Sequence, residues 1–136
     1  MLEVFDGFIA AVSTETKIPL KKEGEGRYSA VVDFEGGRHQ NVLITLDEDN
    51  TGDPIISFFS IIQKGVKENL RLYKDALTMN ASLTYGAIAL TDDALIVQRT
   101  YWLQNMDPQR FIKSLIFVAA KADELEEILN PAEDQY

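Results

Sequence analysis

The strongest local signal for chemistry in the sequence is the acidic stretch from 47 to 54. Four residues match the first, third, fifth and sixth positions of the EF-hand calcium loop: Asp47, Asp49, Thr51 and Gly52. The twelfth position holds Phe58, where that loop needs a bidentate glutamate. Asp47, Asp49 and Asp53 therefore form an incomplete candidate cation site. The residue types favour the alternative of a solvated hairpin loop, because Asp, Asn and Gly suit turn geometry.

Residues that usually carry catalysis are scarce. The absence of cysteine excludes thiolate chemistry, disulfides and cysteine-ligated metals. His39 is the single histidine, and no serine or carboxylate stands at a spacing typical of a catalytic triad. Neighbouring acids such as Asp92 and Asp93 are expected by chance among 22 acidic residues. No glycine-rich phosphate loop is present either. We therefore predict a protein that is not an enzyme and has no cofactor.

The charge balance limits the classes of partner. Lys and Arg number 13 against 22 Asp and Glu, so the formal net charge is −9 over 136 residues. A surface of that sign disfavours nucleic acids and anionic membranes as partners. The longest purely apolar run, 115–120, is far shorter than the roughly 20 residues of a membrane span. The acidic N-terminus is also unlike a secretory signal, and we expect a cytoplasmic protein.

The first half of the chain predicts one helix and three strands. A helix is indicated by apolar residues at three- and four-residue steps: Leu2, Phe5, Phe8, Ile9 and Val12. It should end before Pro19, because the residue before a proline is pushed out of the helical region. We interpret 21–26 as a polar connector. Strands are expected over 28–34, where apolar and polar residues alternate, over 39–46, and over 55–63, which is rich in β-branched and aromatic residues.

The second half predicts a helix, two strands and a long final helix. The second helix should present Val66, Leu70, Tyr73 and Leu77 on one face and stop at Asn80. Strands are expected over 83–90 and 94–102, joined by a turn at 91–93. Asp107 can cap a helix whose first residue is Pro108. Its apolar stripe consists of Phe111, Leu115, Val118, Ala122, Leu125 and Leu129. Pro131 should stop it, with 131–136 as a frayed acidic tail.

This order, α-β-β-β-α-β-β-α, predicts an α+β protein in which helices pack on a single antiparallel five-stranded sheet. No repeat or long linker divides the chain, so we predict a single domain over 1–136. The predicted strand over 55–63 is apolar on both faces. It should therefore be buried between layers, or else pair with another copy of the chain.

Two apolar side chains on the last helix indicate a contact surface. On a helical projection Phe117 and Ile128 fall outside the main stripe, beside charged residues such as Lys113. A large aromatic residue on a charged face suggests a partner-binding surface, which we assign to Phe117, Lys113 and Ile128. The alternatives are a helix covered on two sides, or a single exposed aromatic residue of no functional significance.

The order of elements resembles the type III secretion chaperone-like fold. Residues 60–130 are similar to the YbjN-type family, bacterial proteins described as regulators of sensory transduction. That similarity is carried by an Asn that closes the second helix (Asn80), a glycine in the following strand (Gly86), a turn of leucine and acid after that strand, and the motif Ala122-Asp123-Glu124-Leu125. The family has no established catalytic residues to transfer. The resemblance implies an acidic protein that binds an extended segment of another protein and forms a homodimer.

The leading hypothesis is therefore a non-enzymatic protein-interaction module, a chaperone-like or regulatory adaptor that binds a protein segment at a sheet edge or a helix groove. The alternative is a sensor of a small molecule or metal ion, with the ligand held between sheet and helices or at the acidic loop. Binding of such a ligand would raise the melting temperature.

Overall fold

The computed structural model describes residues 1–129. Three helices and six strands follow one another along the chain: α1 (Leu2–Thr16), β1 (Lys21–Gly24), β2 (Arg27–Asp33), β3 (His39–Glu48), β4 (Pro54–Gln63), α2 (Leu70–Asn80), β5 (Ala87–Thr91), β6 (Ala94–Trp102) and α3 (Pro108–Leu129). Short 3-10 turns at Glu35–Gly37 and Leu103–Asn105 precede β3 and α3. Asp107 caps α3 as predicted, since its carboxylate accepts from the Arg110 amide at 2.8 Å.

The six strands form one antiparallel sheet in the order β1-β2-β3-β4-β6-β5. The α+β class, the single sheet and its antiparallel pairing are confirmed. All three helices pack on one face of the sheet. Their side of β4 is fully buried, and Phe58 meets Phe111 of α3 edge to face at 5.1 Å between ring centroids. None of the helices in the described part of the chain lies on the opposite face of the sheet, which we call the open face.

The strand count was wrong by one, because β1 was interpreted as a connector. Lys21 pairs with Ser29 and Lys22 with Tyr28, so this segment is an edge strand of the sheet. The turn is made at Gly26, whose positive φ of 67° favours glycine. A short strand with exposed, charged side chains has no apolar alternation, and sequence periodicity therefore misses it.

The predicted packing face of α2 was also wrong. Leu70 and Leu77 are 75% and 71% exposed, and no residue of α2 is fully buried. The helix instead packs through Leu72, Ala76 and Met79, and it begins at Leu70 with Asn69 as its cap. Because 66–69 are not helical, extending the periodicity back to Val66 selected the wrong face.

The remaining boundaries differ only at the ends of elements. The strand predicted over 83–90 is confined to Ala87–Thr91, while Ala94–Trp102 is as predicted. The turn between them uses Asp92 at a φ of 54°, as expected for an acidic turn residue. The doubly apolar strand is β4, which has partners on both sides and does not lie at an edge. The predicted tail over 131–136 and the stop at Pro131 lie outside the described residues.

Candidate functional site

Phe117 and Lys113, predicted to form a contact surface, lie together where β5 begins. The ring of Phe117 meets the ring of Tyr85 edge to face, with 5.6 Å between centroids. The Lys113 Nζ lies 5.3 Å from the centre of the Tyr85 ring. Phe117 is half-buried and also packs against the core, so it is not the isolated exposed aromatic residue of the alternative. The last helix is covered at this point by the segment that contains Tyr85.

Arg99 of β6 completes this cluster. Its Cζ lies 4.4 Å from the centre of the Tyr85 ring and 4.5 Å from that of Tyr101, so cation–π contacts hold the guanidinium. Burial lowers the pKa of Arg99. The Nη1 atom is buried and makes no hydrogen bond within residues 1–129. We call the concavity of about 420 Å³ between 84–87 and 98–101 the Arg99 cavity.

Sequence reasoning did not identify Tyr85, Arg99 or Tyr101 as candidates. The available signal was an alternating strand face, because a polar Arg99 follows the buried Leu95 and Val97 at two-residue steps. A cationic side chain that faces the core needs interacting groups to offset its lost hydration. In the folded chain the groups around Arg99 are the aromatic rings of Tyr85 and Tyr101. The presence of Tyr85 there depends on the path of the chain before β5, which periodicity does not describe.

Ile128, the third predicted contact residue, lies elsewhere. It is 67% exposed and borders an apolar crevice beneath α2. Eleven residues separate it from Phe117, or roughly 16 Å along the helix axis. The crevice has a volume of about 120 Å³, and its apolar walls include Leu72, Met79 and Leu125. The predicted surface is therefore two separate places on α3.

The open face of the sheet has an apolar centre. Leu43, Phe59 and Ile61 lie there on adjacent strands and are only half-buried, because no helix covers them. A broad concavity of about 490 Å³ is lined by these three residues and by polar ones that include Arg27 and Glu23. This face combines exposed apolar area with charges of both signs at its margin, as protein-binding surfaces do.

Both outer edges of the sheet are protected against added strands. The Asn80 side chain covers the edge of β5, since its Oδ1 accepts from the Ile88 amide at 2.7 Å and its Nδ2 donates to the Ile88 carbonyl at 3.0 Å. At the other edge, β1 has four residues, with Lys21 and Lys22 exposed. Short, lysine-bearing edge strands resist pairing with other chains. We therefore expect a partner to bind on a face of the sheet or in a groove, and not at either of these two edges.

The acidic loop uses its carboxylates internally. Asp49 Oδ1 accepts from the amides of Thr51 and Asp53, both at 2.9 Å, and from the Thr51 hydroxyl. Its Oδ2 accepts from the indole of Trp102 at 3.0 Å, and Asp47 accepts from the Thr45 hydroxyl. No group of three His, Asp or Glu side chains within residues 1–129 is arranged to hold a metal ion. This geometry favours the solvated hairpin loop.

His39 begins β3 and lies next to Arg38, which docks the β2–β3 connection onto α3. The Arg38 Nε donates to Asp123 Oδ1 at 3.0 Å, and both side chains are mostly buried. Asp123 belongs to the motif that suggested the family resemblance, and Ala122 and Leu125 on either side of it are buried in the core. The motif therefore marks how α3 is fixed to the sheet.

Comparisons with known proteins support the fold. No protein-family model and no curated protein matches the chain. Among solved structures, it is similar to a chain in the HopA1–SchA chaperone–effector complex, with a TM-score of 0.60. The match covers 95% of this chain and 94% of that one at 9% sequence identity. No described helix is long and apolar enough to cross a membrane. The chain has a chaperone-like α+β fold, and at this identity the likeness concerns the fold alone.

Proposed function

We propose that this protein is a non-enzymatic, chaperone-like module that binds a segment of another protein on the open face of its sheet. The observation that carries the proposal is the half-exposed apolar centre of that face, formed by Leu43, Phe59 and Ile61. A sheet normally buries both faces or makes one of them polar. The similar chain comes from a chaperone–effector complex, which supports a protein as the occupant.

The predicted contact residues on α3 belong to this proposal in two roles. Lys113 and Phe117 contact Tyr85, a residue that lines the Arg99 cavity, and so act on that cavity through its ring. Ile128 extends the apolar crevice beneath α2. Membership of the YbjN-type family, a bacterial origin and a cytoplasmic location stay predictions of the sequence.

Self-association is a second part of the proposal. The exposed Leu70 and Leu77 of α2 are one heptad apart on the same helix face, and this spacing suits a helix–helix contact with a second copy. Size-exclusion chromatography with light scattering should give twice the monomer mass at micromolar concentration, and Leu77→Asp should give the monomer. A wild-type mass of one chain would remove this part and leave segment binding in place.

Co-purification from native cells at low salt, followed by mass spectrometry, tests segment binding. Wild type should retain a stoichiometric protein that Phe59→Ser releases, because the serine removes the apolar centre of the open face. Ile116→Ser is the matched control, since Ile116 is an exposed apolar residue on α3, away from that face. Equal retention by all three proteins would reject the open face as the binding surface. Phe117→Asp should weaken retention if the Arg99 cavity also contributes.

A further inference from the structure

The surroundings of Arg99 leave one kind of interaction open to it. Tyr85 and Tyr101 lie within 4.5 Å of the guanidinium carbon, yet Nη1 is buried and no atom of residues 1–129 accepts a hydrogen bond from it. A buried cationic donor that lacks an acceptor is costly, because the water it has lost is not replaced. An anionic oxygen at the edge of the guanidinium plane would supply the missing hydrogen bonds.

The site is also locally positive on an acidic protein. Arg99 and Lys113 both lie on the Tyr85 ring, and within residues 1–129 neither of them forms an ion pair. The chain contains 22 acidic residues, so two cations on one ring that both lack an acidic partner within residues 1–129 are unusual. Repulsion by the rest of the surface restricts which anions approach, whereas this pair favours a negative group once it arrives.

The main chain beside the cavity is that of an unpaired strand edge. The main-chain N–H and C=O of Ile88 both bond to Asn80 and therefore point away from β6. The main-chain groups of the preceding residue, Ala87, point the opposite way, toward those of its partner Gln98. Main-chain groups two residues apart on a strand point to the same side, so the N–H and C=O of Thr100 point the same way as those of Gln98. β5 pairs with β6 only as far as Gln98 and does not reach Thr100. Thr100 lines the Arg99 cavity, so an extended peptide could hydrogen-bond there.

We infer that the Arg99 cavity is a carboxylate-binding site, occupied by an Asp or Glu side chain of an extended protein segment. This inference rests on the proposed function for the source of the carboxylate. A planar carboxylate matches the in-plane N–H groups of a guanidinium, and here the guanidinium carbon lies over two aromatic rings. The segment lies along β6 beyond Gln98, the last residue that pairs with β5, and its acidic side chain reaches Arg99.

The experiment is an NMR titration of the full-length labelled protein with four probes. They are a short blocked peptide with one Glu among Val residues, its Gln twin, succinate, and inorganic phosphate. The Glu peptide should move the Arg99 Nε–H signal and the Thr100 amide in a saturable way, about tenfold more tightly than its Gln twin. Succinate should move the Arg99 signal with weaker affinity, because it makes no contact with the strand edge.

Three outcomes would overturn the inference. The first is equal binding of the Glu and Gln peptides. The second is an Arg99 signal that stays fixed up to about 10 mM probe, a range that detects Kd values in the millimolar region. The third is phosphate that binds more tightly than either carboxylate. Succinate as tight as the Glu peptide would overturn the role of the β6 edge. These results come from the wild type, so they do not depend on whether a variant folds.

Conservative variants test the same site by a second route. Arg99→Lys keeps the charge and loses the planar fork, so affinity for the Glu peptide should fall about tenfold. Arg71→Lys is the control, because Arg71 is exposed on α2 and pairs with Asp75. Retention of the native partner separates the two proposals. If Phe59→Ser releases the partner and Arg99→Lys does not, segment binding stands and the acidic side chain at Arg99 is wrong.

Discussion

The carboxylate of Asp49 accepts four hydrogen bonds, three from its own loop and one from Trp102. These bonds stabilise the ionised form and lower the pKa of Asp49 to about 2, with the bond from Thr51 contributing most. The same residue resembles a calcium ligand in the sequence. Loop closure and metal binding both require carboxylate oxygens near a turn, so sequence spacing does not distinguish them.

Trp102 is the only tryptophan, and its fluorescence should therefore report the protonation of Asp49. Because the folded pKa lies below the unfolded value of 3.8, the interaction is complete above about pH 4 and is lost as the pH falls through about 2. Asp49→Asn should abolish the transition, and Asp92→Asn, in the distant β5–β6 turn, should leave it. A midpoint near 4 with the circular dichroism unchanged would contradict this assignment.

Gly86 is needed for close packing as well as for its backbone angle. Its φ is +72°, and a Cβ there would lie 2.6 Å from the Gln98 carbonyl oxygen. Gly36 has a similar φ of +79° with nothing within 4 Å, so it is a matched control. Alanine at Gly36 should cost about 1–2 kcal/mol of unfolding free energy, and at Gly86 about 1–3 kcal/mol more.

Urea unfolding of the two alanine variants measures the difference. A larger loss at Gly86 is expected because the clash is with main chain, which cannot rotate away. Equal losses would mean that the segment before β5 shifts freely, and Tyr85 would then not be held against Arg99.

At the scale of the element, α2 is the helix least fixed to the rest of the fold. It packs only through half-buried side chains, and Asn80 ties its last turn to β5. Leu77→Ala should change the unfolding free energy by less than about 0.5 kcal/mol. Met79→Ala should cost about 1–3 kcal/mol, because Met79 lines the crevice beneath the helix.

Chemical denaturation of both variants checks the orientation of α2. A greater loss of unfolding free energy for Leu77→Ala than for Met79→Ala would mean that α2 packs through the face predicted from periodicity. That result would contradict the exposed positions of Leu70 and Leu77. The same measurement is informative for self-association, since a dimer that buries Leu77 would make its loss depend on protein concentration.

The sequence is informative about elements with strong periodicity and about caps. The apolar stripe and Asp107 placed α3, alternation placed β2, and β-branched and aromatic residues placed β4. The predicted bounds of β2, β3, β4 and β6 lie within two residues of the observed ones. The edge strand β1 has charged side chains and no buried face, so nothing in its pattern distinguishes it from a loop. The face of α2 depends on where the helix starts, and Asn69 was not recognised as its cap.

The candidate sites show the same division. Lys113 and Phe117 could be selected because they depart from the stripe of one helix. Their partner Tyr85 comes from another segment and in turn contacts Arg99 of β6, and only the folded chain brings these residues together. The open face was not predicted, because the strand over 55–63 is apolar on both faces and was expected to be buried between layers. In the structure, Phe59 and Ile61 on its outer side are only half-buried.

In the whole molecule, the helices cover one face of the sheet, the edges formed by β1 and by β5 at Ile88 are protected, and the open face keeps an apolar centre. The proposed occupant of the open face is a segment of another protein. A single domain over 1–136 stays a prediction. The net charge of −9 makes the positive Arg99 cavity a selective feature within this surface.

Site-specific photo-crosslinking in native cells tests segment binding most directly. A photoreactive phenylalanine analogue at Phe59 should form an adduct with one protein, with the crosslinked peptides confined to a single short segment of it. The same analogue at Ile116 should not form that adduct. A protein that crosslinks equally from both positions, or no adduct from Phe59 when the variant is folded, would contradict the proposal that this chain binds a protein segment on its open face.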